Sequence, residues 1–253
     1  MICLTDNDIF KEEKIGWGAH SDVYRICLNN AILIEEAEFK SIVVKLPKKG
    51  KWYIDEILSK ITSLKNAGLR TLSFAKKINL RGIDTLLVED LNNDDETIFV
   101  SPNTRIINYE TEKILHHLTQ KVLEDNGQYK MEENSKAEEY RRENKLDEII
   151  NFKEDLSIFL NEMKTSEIAG ITLFKDCFFF SSSLKTTSTK IDYKIADFDC
   201  VNCDNLMINE DLQGLNQKEF IASYQEFVEK YFNASPLKTG YIEYLTKIDD
   251  SIK

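Results

Sequence analysis

The chain has no uninterrupted apolar run of about 18 residues, which gives no sequence signal for a membrane-spanning helix. Its first residues, MICLTDNDIFKEEK, lack a basic flank followed by an apolar core, so no secretory signal is read there. The expectation is a cytoplasmic location. Positive charge is also in short supply: 33 lysines and arginines stand against 44 aspartates and glutamates, a net charge of −11. That balance argues against broad binding to nucleic acid, although KLPKKGK (45–51) gathers four lysines in seven residues. Cysteine is sparse, at Cys3, Cys27, Cys177, Cys200 and Cys203. An odd, scattered set without an export signal reads as reduced thiols rather than a disulfide framework. Cys200 and Cys203 form a CxxC, but no second CxxC or HxxxH pair completes a zinc site, and two ordinary thiols in a loop are the favoured reading. No internal repeat is visible.

What is present is the composition of a soluble globular protein, 42% hydrophobic and 30% charged over 253 residues. That length can bury a full core as one large domain or two lobes. Residues 8–46 read as strands, with AILIEEAEFK either extending them or forming a small excursion. WYIDEILSKITSLKN (52–66) has the helical spacing of Ile54, Ile57, Leu58, Ile61 and Leu64, with a stop at Asn66-Ala67-Gly68. Strands are expected over 72–80 and 84–91, and a helix over 104–125. Residues 124–148 hold nine acidic and five basic side chains, the pattern of a solvated helix or mobile insertion. A helix over 146–170, two strands in DCFFFSSSL and DYKIADFD, and a helix in KEFIASYQEFVEKYF complete the pass.

Several stretches carry candidate chemistry. GWGAHSDV (16–23) sets Gly16, Gly18, Ser21 and Val23 in the spacing GxGxxSxV between two expected strands. Glycine lets backbone N–H groups approach phosphate oxygens without a Cβ in the way, and a small residue at Ser21 keeps the turn tight. Hairpin turns also use glycine for conformation alone. VVK (43–45) ends a strand in Lys45, which can reach the phosphates of a nucleotide under such a loop. The lysine needs a carboxylate to hold it, and Glu56 lies on the next helix, read as sharing the face of the apolar stripe. A surface lysine and a solvated glutamate are the ordinary alternatives. KIADFDC (194–200) ends a β-type run in Asp197-Phe198-Asp199, either a metal ligand at a strand end or an acidic turn.

Glycine loop, strand lysine, helix glutamate, hinge and DFD occur in the order of the protein-kinase fold, and DFD resembles the kinase DFG. The resemblance implies an α+β, two-lobed protein-kinase-like fold. A β-rich N-lobe with one helix spans 1–91 and a mainly helical C-lobe spans 92–253. It implies ATP and Mg²⁺, with Glu89 and Leu91 of the hinge at the nucleotide and Asp197 at the metal. No HRDxxxxN catalytic loop occurs. One alignment of GIT (170–172) puts Thr172 at the loop and makes a dead enzyme. Allowing one inserted residue puts Asp176 at the base position, 21 residues before Asp197, and this alignment is preferred. Ser181, five residues on, then stands at the second-metal position.

FKDCFFFSS also resembles the HRDCYxxHF loop of the bacterial lipopolysaccharide core kinases, the Kdo and heptose kinase family. KNAGLRTLSFAKKI, TLLVEDL, AGIT, DFD and NEDLQGL with KEFIASY are similar to further short motifs of that family. Phe174 and Lys175 depart from it, replacing the His-Arg that braces the loop. Ser181 departs too, since a hydroxyl is a weak ligand for a hard cation. The resemblance implies transfer of the γ-phosphate of ATP to a sugar hydroxyl of the lipopolysaccharide inner core. Asp176 would be the base, and the work would be done from the cytoplasmic side with peripheral inner-membrane contact. A small protein Ser/Thr kinase and a pseudokinase binding module with little turnover are the alternatives.

Overall fold

β-branched and aromatic residues cluster through the N-terminal third, and pleated strands accommodate them well. The structure, a computed structural model, describes residues 2–17, 21–34, 36–47, 54–91, 97–102, 146–183, 186–203 and 214–252. Gly18, the lysines of 48–51, the helix expected over 104–125 and the charged stretch as far as residue 145 lie outside the described residues.

One six-stranded sheet comprises β1 (Cys3–Leu4), β2 (Ile9–Trp17), β3 (Ser21–Ile34), β4 (Ala37–Pro47), β5 (Ala75–Leu80) and β6 (Ile83–Val88). Their order is β1-β5-β6-β4-β3-β2, antiparallel except for the β1–β5 edge. AILIEEAEFK extends the strands: β3 runs on to Ile34 and β4 begins at Ala37. The β5–β6 turn holds two left-handed residues, Arg81 (φ 53°) and Gly82 (φ 83°), whose twist matches that of the flanking strands.

β4 is apolar on both faces because both are covered. Ile42 and Val44 join Ile26, Leu28, Ile78, Leu80 and Leu87 in one cluster. Val43 belongs with Leu86, Val88 and helix α1 (Ile54–Asn66) in a second cluster that reaches through the C-terminal half. The helix buries Ile54, Ile57, Ile61 and Leu64 and stops as expected at Gly68 (φ 75°). There the Gly68 N–H donates to Lys65 O and the Leu69 N–H to Leu64 O, each at 3.0 Å.

The rest of the described chain comprises β7 (Thr97–Val100), β8 (Glu148–Ile149), α2 (Phe152–Ile168), β9 (Thr172–Leu173) and β10 (Phe178–Ser183). These are followed by β11 (Ser188–Thr189), β12 (Tyr193–Ile195), β13 (Val201–Asn202), α3 (Leu215–Tyr231) and α4 (Lys238–Ser251). α2 starts later than its pattern suggests because Glu148 and Ile149 pair with β11. α4 escapes the sequence reading because Leu245 is its one fully buried side chain, too thin a stripe to register. The described residues therefore make an α+β fold with four helices, none long and apolar enough to cross a membrane.

The C-terminal core is aromatic. Phe178 and Phe180 of β10, Tyr193 of β12 and Phe159 of α2 meet Phe220, Tyr224 and Phe227 of α3. Phe180 stacks on Tyr224 at 5.0 Å and 11°. This packing holds the β10–β12 hairpin, and with it the candidate site, against α3. Phe180→Ala is expected to cost about 3–5 kcal/mol through lost burial and the cavity left behind, read as a lower midpoint in chemical denaturation.

Candidate functional site

The register of the large sheet lines up several of the expected residues. Gly16 of β2 lies opposite Val23 of β3, Val23 opposite Lys45 of β4, and Lys45 opposite Leu86 of β6. Strand side chains alternate between faces, so Lys45 projects on the same side as Val43, toward the core shared with the C-terminal half. Val23 is half-buried against that core, and Ser21, opposite Pro47, is buried.

Lys45 reaches across to the DFD segment. Its Nζ donates to Ala196 O at 3.1 Å and lies 5.4 Å from the centre of the buried Phe198 ring. Burial pulls the ammonium pKa down, and the nearby charges of Asp197 and Asp199 oppose that pull.

The second part of the site is built by the antiparallel pair β10–β12. Phe178 pairs with Ile195, and one step further the Ala196 N–H donates to Cys177 O at 3.1 Å. The turns at Lys175–Cys177 and Phe198–Cys200 thus meet at the same end of the hairpin, carrying Asp176 and Asp197. Asp197 Oδ1 accepts from the Asp199 N–H at 3.2 Å. Burial raises the Asp197 carboxyl above its ordinary range; Lys45 counters this, while Asp199 and Asp176 reinforce it. Asp176 itself is exposed. Thr172, the other residue weighed for the loop, is paired with Asn202 on β13. Cys200 is pushed up to about 12 by burial and by Asp197, Asp176 and Asp199, and Cys177 is raised well above its usual value, chiefly by burial. None of the five cysteines is joined in a disulfide.

Other expected residues stand differently. Glu56 does not clamp Lys45: its carboxylate is 55% exposed and pairs with Lys60 at 3.1 Å, one helical turn away. The buried stripe of α1 runs through Ile54, Ile57 and Ile61, and Glu56 lies beside that stripe rather than on it. Ser181 does not reach the DFD end. β10 is extended from Phe178, so its three steps to Ser181 alone carry the chain roughly 10 Å away from that end. The Ser181 hydroxyl accepts from the Asp192 N–H at 2.8 Å instead. Glu89 uses its carboxylate to accept from Lys194 and from the Ser73 N–H. Burial pushes that carboxyl up, but these partners outweigh it and hold it below the usual range. Leu91 packs half-buried against the shared core.

Sequence reasoning missed the braces of the loop before Asp176. Asn216, Glu219, Ser223 and Glu226 lie along one side of α3, and all four grip residues 171–175. Asn216 Oδ1 accepts from the Leu173 N–H (2.8 Å), and its Nδ2 donates to Ile171 O (2.8 Å) and Ser166 Oγ (2.7 Å). Glu219 accepts from the Lys175 N–H (2.7 Å), Ser223 Oγ donates to Lys175 O (2.9 Å), and Glu226 pairs with Lys175 Nζ (2.6 Å). The available signal was a polar row beside an apolar one on α3; its partner could not be read. Lys60, whose Nζ donates to Phe198 O at 3.2 Å, was missed too.

Among the described residues no three His, Cys, Asp or Glu side chains gather as a metal cage. Asp197 still fits Mg²⁺, which can take a single protein carboxylate and complete its shell with phosphate oxygens and water. No model of a known protein family matches the chain, and no curated protein matches it.

Two consequences are measurable. Because the Asp197 pKa is raised, its folded form holds a proton more tightly than the unfolded chain does. Stability contributed below the ordinary aspartate value, about 3.9, is lost as pH rises through the raised value. Asp197→Asn is therefore expected to raise the melting temperature at neutral pH and leave it unchanged below about pH 3. Asn216→Ala, which strands buried partners, is expected to cost about 1–3 kcal/mol with an unaltered denaturant slope.

Proposed function

We propose that the chain is an ATP- and Mg²⁺-dependent phosphotransferase of the protein-kinase-like superfamily, with the six-stranded sheet and α1 as one lobe and the remainder as the other. The observation that carries this reading is the meeting of Lys45 with the DFD segment at the end of the hairpin that also carries Asp176. In this reading the nucleotide lies between the row Gly16, Val23, Lys45 and the Asp176–Asp197 end of the hairpin. Lys45 holds phosphate charge, and Asp197 holds the metal. When bound, Mg²⁺ neutralises charge on the phosphates. Asp176 would orient the acceptor hydroxyl and take its proton as the oxygen bonds to the γ-phosphorus, the bond from that phosphorus to the bridging oxygen breaking so that ADP leaves. The exposure of Asp176 leaves room for an acceptor. The resemblance to lipopolysaccharide core kinases makes a sugar hydroxyl the favoured acceptor, met from the cytoplasmic side.

One observation favours a second reading, a pseudokinase that binds nucleotide with little turnover. Ser181, expected as the second metal ligand, is occupied with the Asp192 amide three residues into β10. The two readings part experimentally. Both expect ATP with Mg²⁺ to raise stability, by about 2.7 kcal/mol at a hundredfold excess over Kd. The enzyme reading further expects phosphotransfer to inner-core sugar acceptors, falling about 10²–10⁴-fold in Asp176→Asn while the stabilisation persists. Stabilisation without transfer supports the pseudokinase, and no stabilisation sinks both.

A further inference from the structure

We propose that Lys60, rather than Glu56, is the residue through which α1 orients Asp197, its ammonium held between the Glu56 carboxylate and the Phe198 carbonyl. The inference rests on the phosphotransferase reading above and assigns a positioning residue to that same site.

The two carbonyls that flank Asp197 in sequence are each taken by a lysine from the N-terminal half. Ala196 O accepts from Lys45 at 3.1 Å and Phe198 O from Lys60 at 3.2 Å. Phe198 O also accepts from the Val201 N–H, which closes the turn. The Phe198 ring is buried at 1% exposure, and Asp197 Oδ1 is tied to the Asp199 N–H. The Ala196–Asp197 and Phe198–Asp199 peptide groups are thereby held, and the carboxylate is presented from a turn that cannot rotate without breaking one of these contacts.

Lys60 suits the task on two further counts. Its side chain is only 18% exposed and bridges residues 138 apart in sequence, whereas an ordinary helix-surface pair leaves its lysine in water. Its charge also acts on Cys200, the last residue of the DFD turn, where it opposes the upward pull of burial and of Asp197, Asp176 and Asp199. Glu56 acts through Lys60: at 3.1 Å, one turn earlier on α1, it aims the ammonium at the DFD turn. This gives the helix carboxylate a role without a direct bond to Lys45.

Three variants test the assignment: Lys60→Met, which keeps the stem and removes the donor; Lys60→Arg, which keeps a cationic donor; and Glu56→Gln. The first readout uses the protein without nucleotide. Amide hydrogen exchange at Asp199 and Val201 is expected to speed up about tenfold in Lys60→Met, the scale of one charge-assisted hydrogen bond, and to recover in Lys60→Arg. The second is the Mg²⁺ concentration that half-saturates ATP-dependent thermal stabilisation. It is expected to rise about tenfold in Lys60→Met and less in Glu56→Gln, with Lys60→Arg close to the unaltered chain. Unchanged exchange in Lys60→Met overturns the inference whatever the nucleotide result. Faster exchange with an unchanged Mg²⁺ requirement also overturns it, since the contact then serves stability alone. If the unaltered chain gains nothing from ATP with Mg²⁺, the nucleotide reading falls and takes the Asp197 role of Lys60 with it.

Discussion

The strand and turn from Asp192 to Phe198 are held by the N-terminal half at nearly every residue, and the candidate site depends on that grip. Arg70 pairs with Asp192 at 2.5 Å, and Glu89 takes Lys194. Arg70 O accepts from the Ile195 N–H and Thr71 Oγ donates to Ile195 O, both at 2.8 Å. Lys45 and Lys60 then donate to the carbonyls of Ala196 and Phe198. On the other side β10 pairs with the same strand, backed by the aromatic core against α3. Arg70 itself is steadied by Glu162 and by the faces of Phe159 and Tyr193. A segment fixed from both sides gives Asp197 one position relative to Lys45, the kind of preorganisation that charge-handling sites require.

Such fixation concentrates like charge. Asp197 is drawn into cover with Asp199 and Asp176 nearby, and its raised pKa records the conflict. Lys45 relieves part of it and is itself depressed by burial. Burial thus draws both groups toward their neutral forms while each favours the charge of the other. The loop before Asp176 shows the complementary strategy. Its backbone groups are satisfied by α3 side chains, so the exposed aspartate sits on a braced turn.

The elements were largely legible in advance because their signals are local. α1 was visible in its apolar period and its glycine stop, and β3 and β4 in their β-branched runs. The pairing of Gly16, Val23 and Lys45 in one row follows the order in which those strands were read. Ser181 went astray because counting five residues from Asp176 assumed a loop, whereas the chain is extended from Phe178 onward and carries the hydroxyl away. Glu56 went astray because its place on the helix was judged from spacing alone. A difference of about 100° per residue separates the buried stripe from its solvent edge. α4 was missed because its contribution to the core is confined to few side chains.

By itself the sequence determined the longer strands of the N-terminal sheet and three of the four described helices, where several of them stop, and that a lysine-ended strand and a DFD turn lie in one chain. These follow from local periodicity, turn chemistry and charge. Only the tertiary structure decided that Lys45 faces Ala196, that Asp176 rather than Thr172 shares an end with Asp197, and that Lys60 outreaches Glu56. It alone turned the polar row of α3 into a brace. These are contacts between residues tens to more than a hundred positions apart. They are set by strand register and helix rotation, where a shift of one residue exchanges one face for the other.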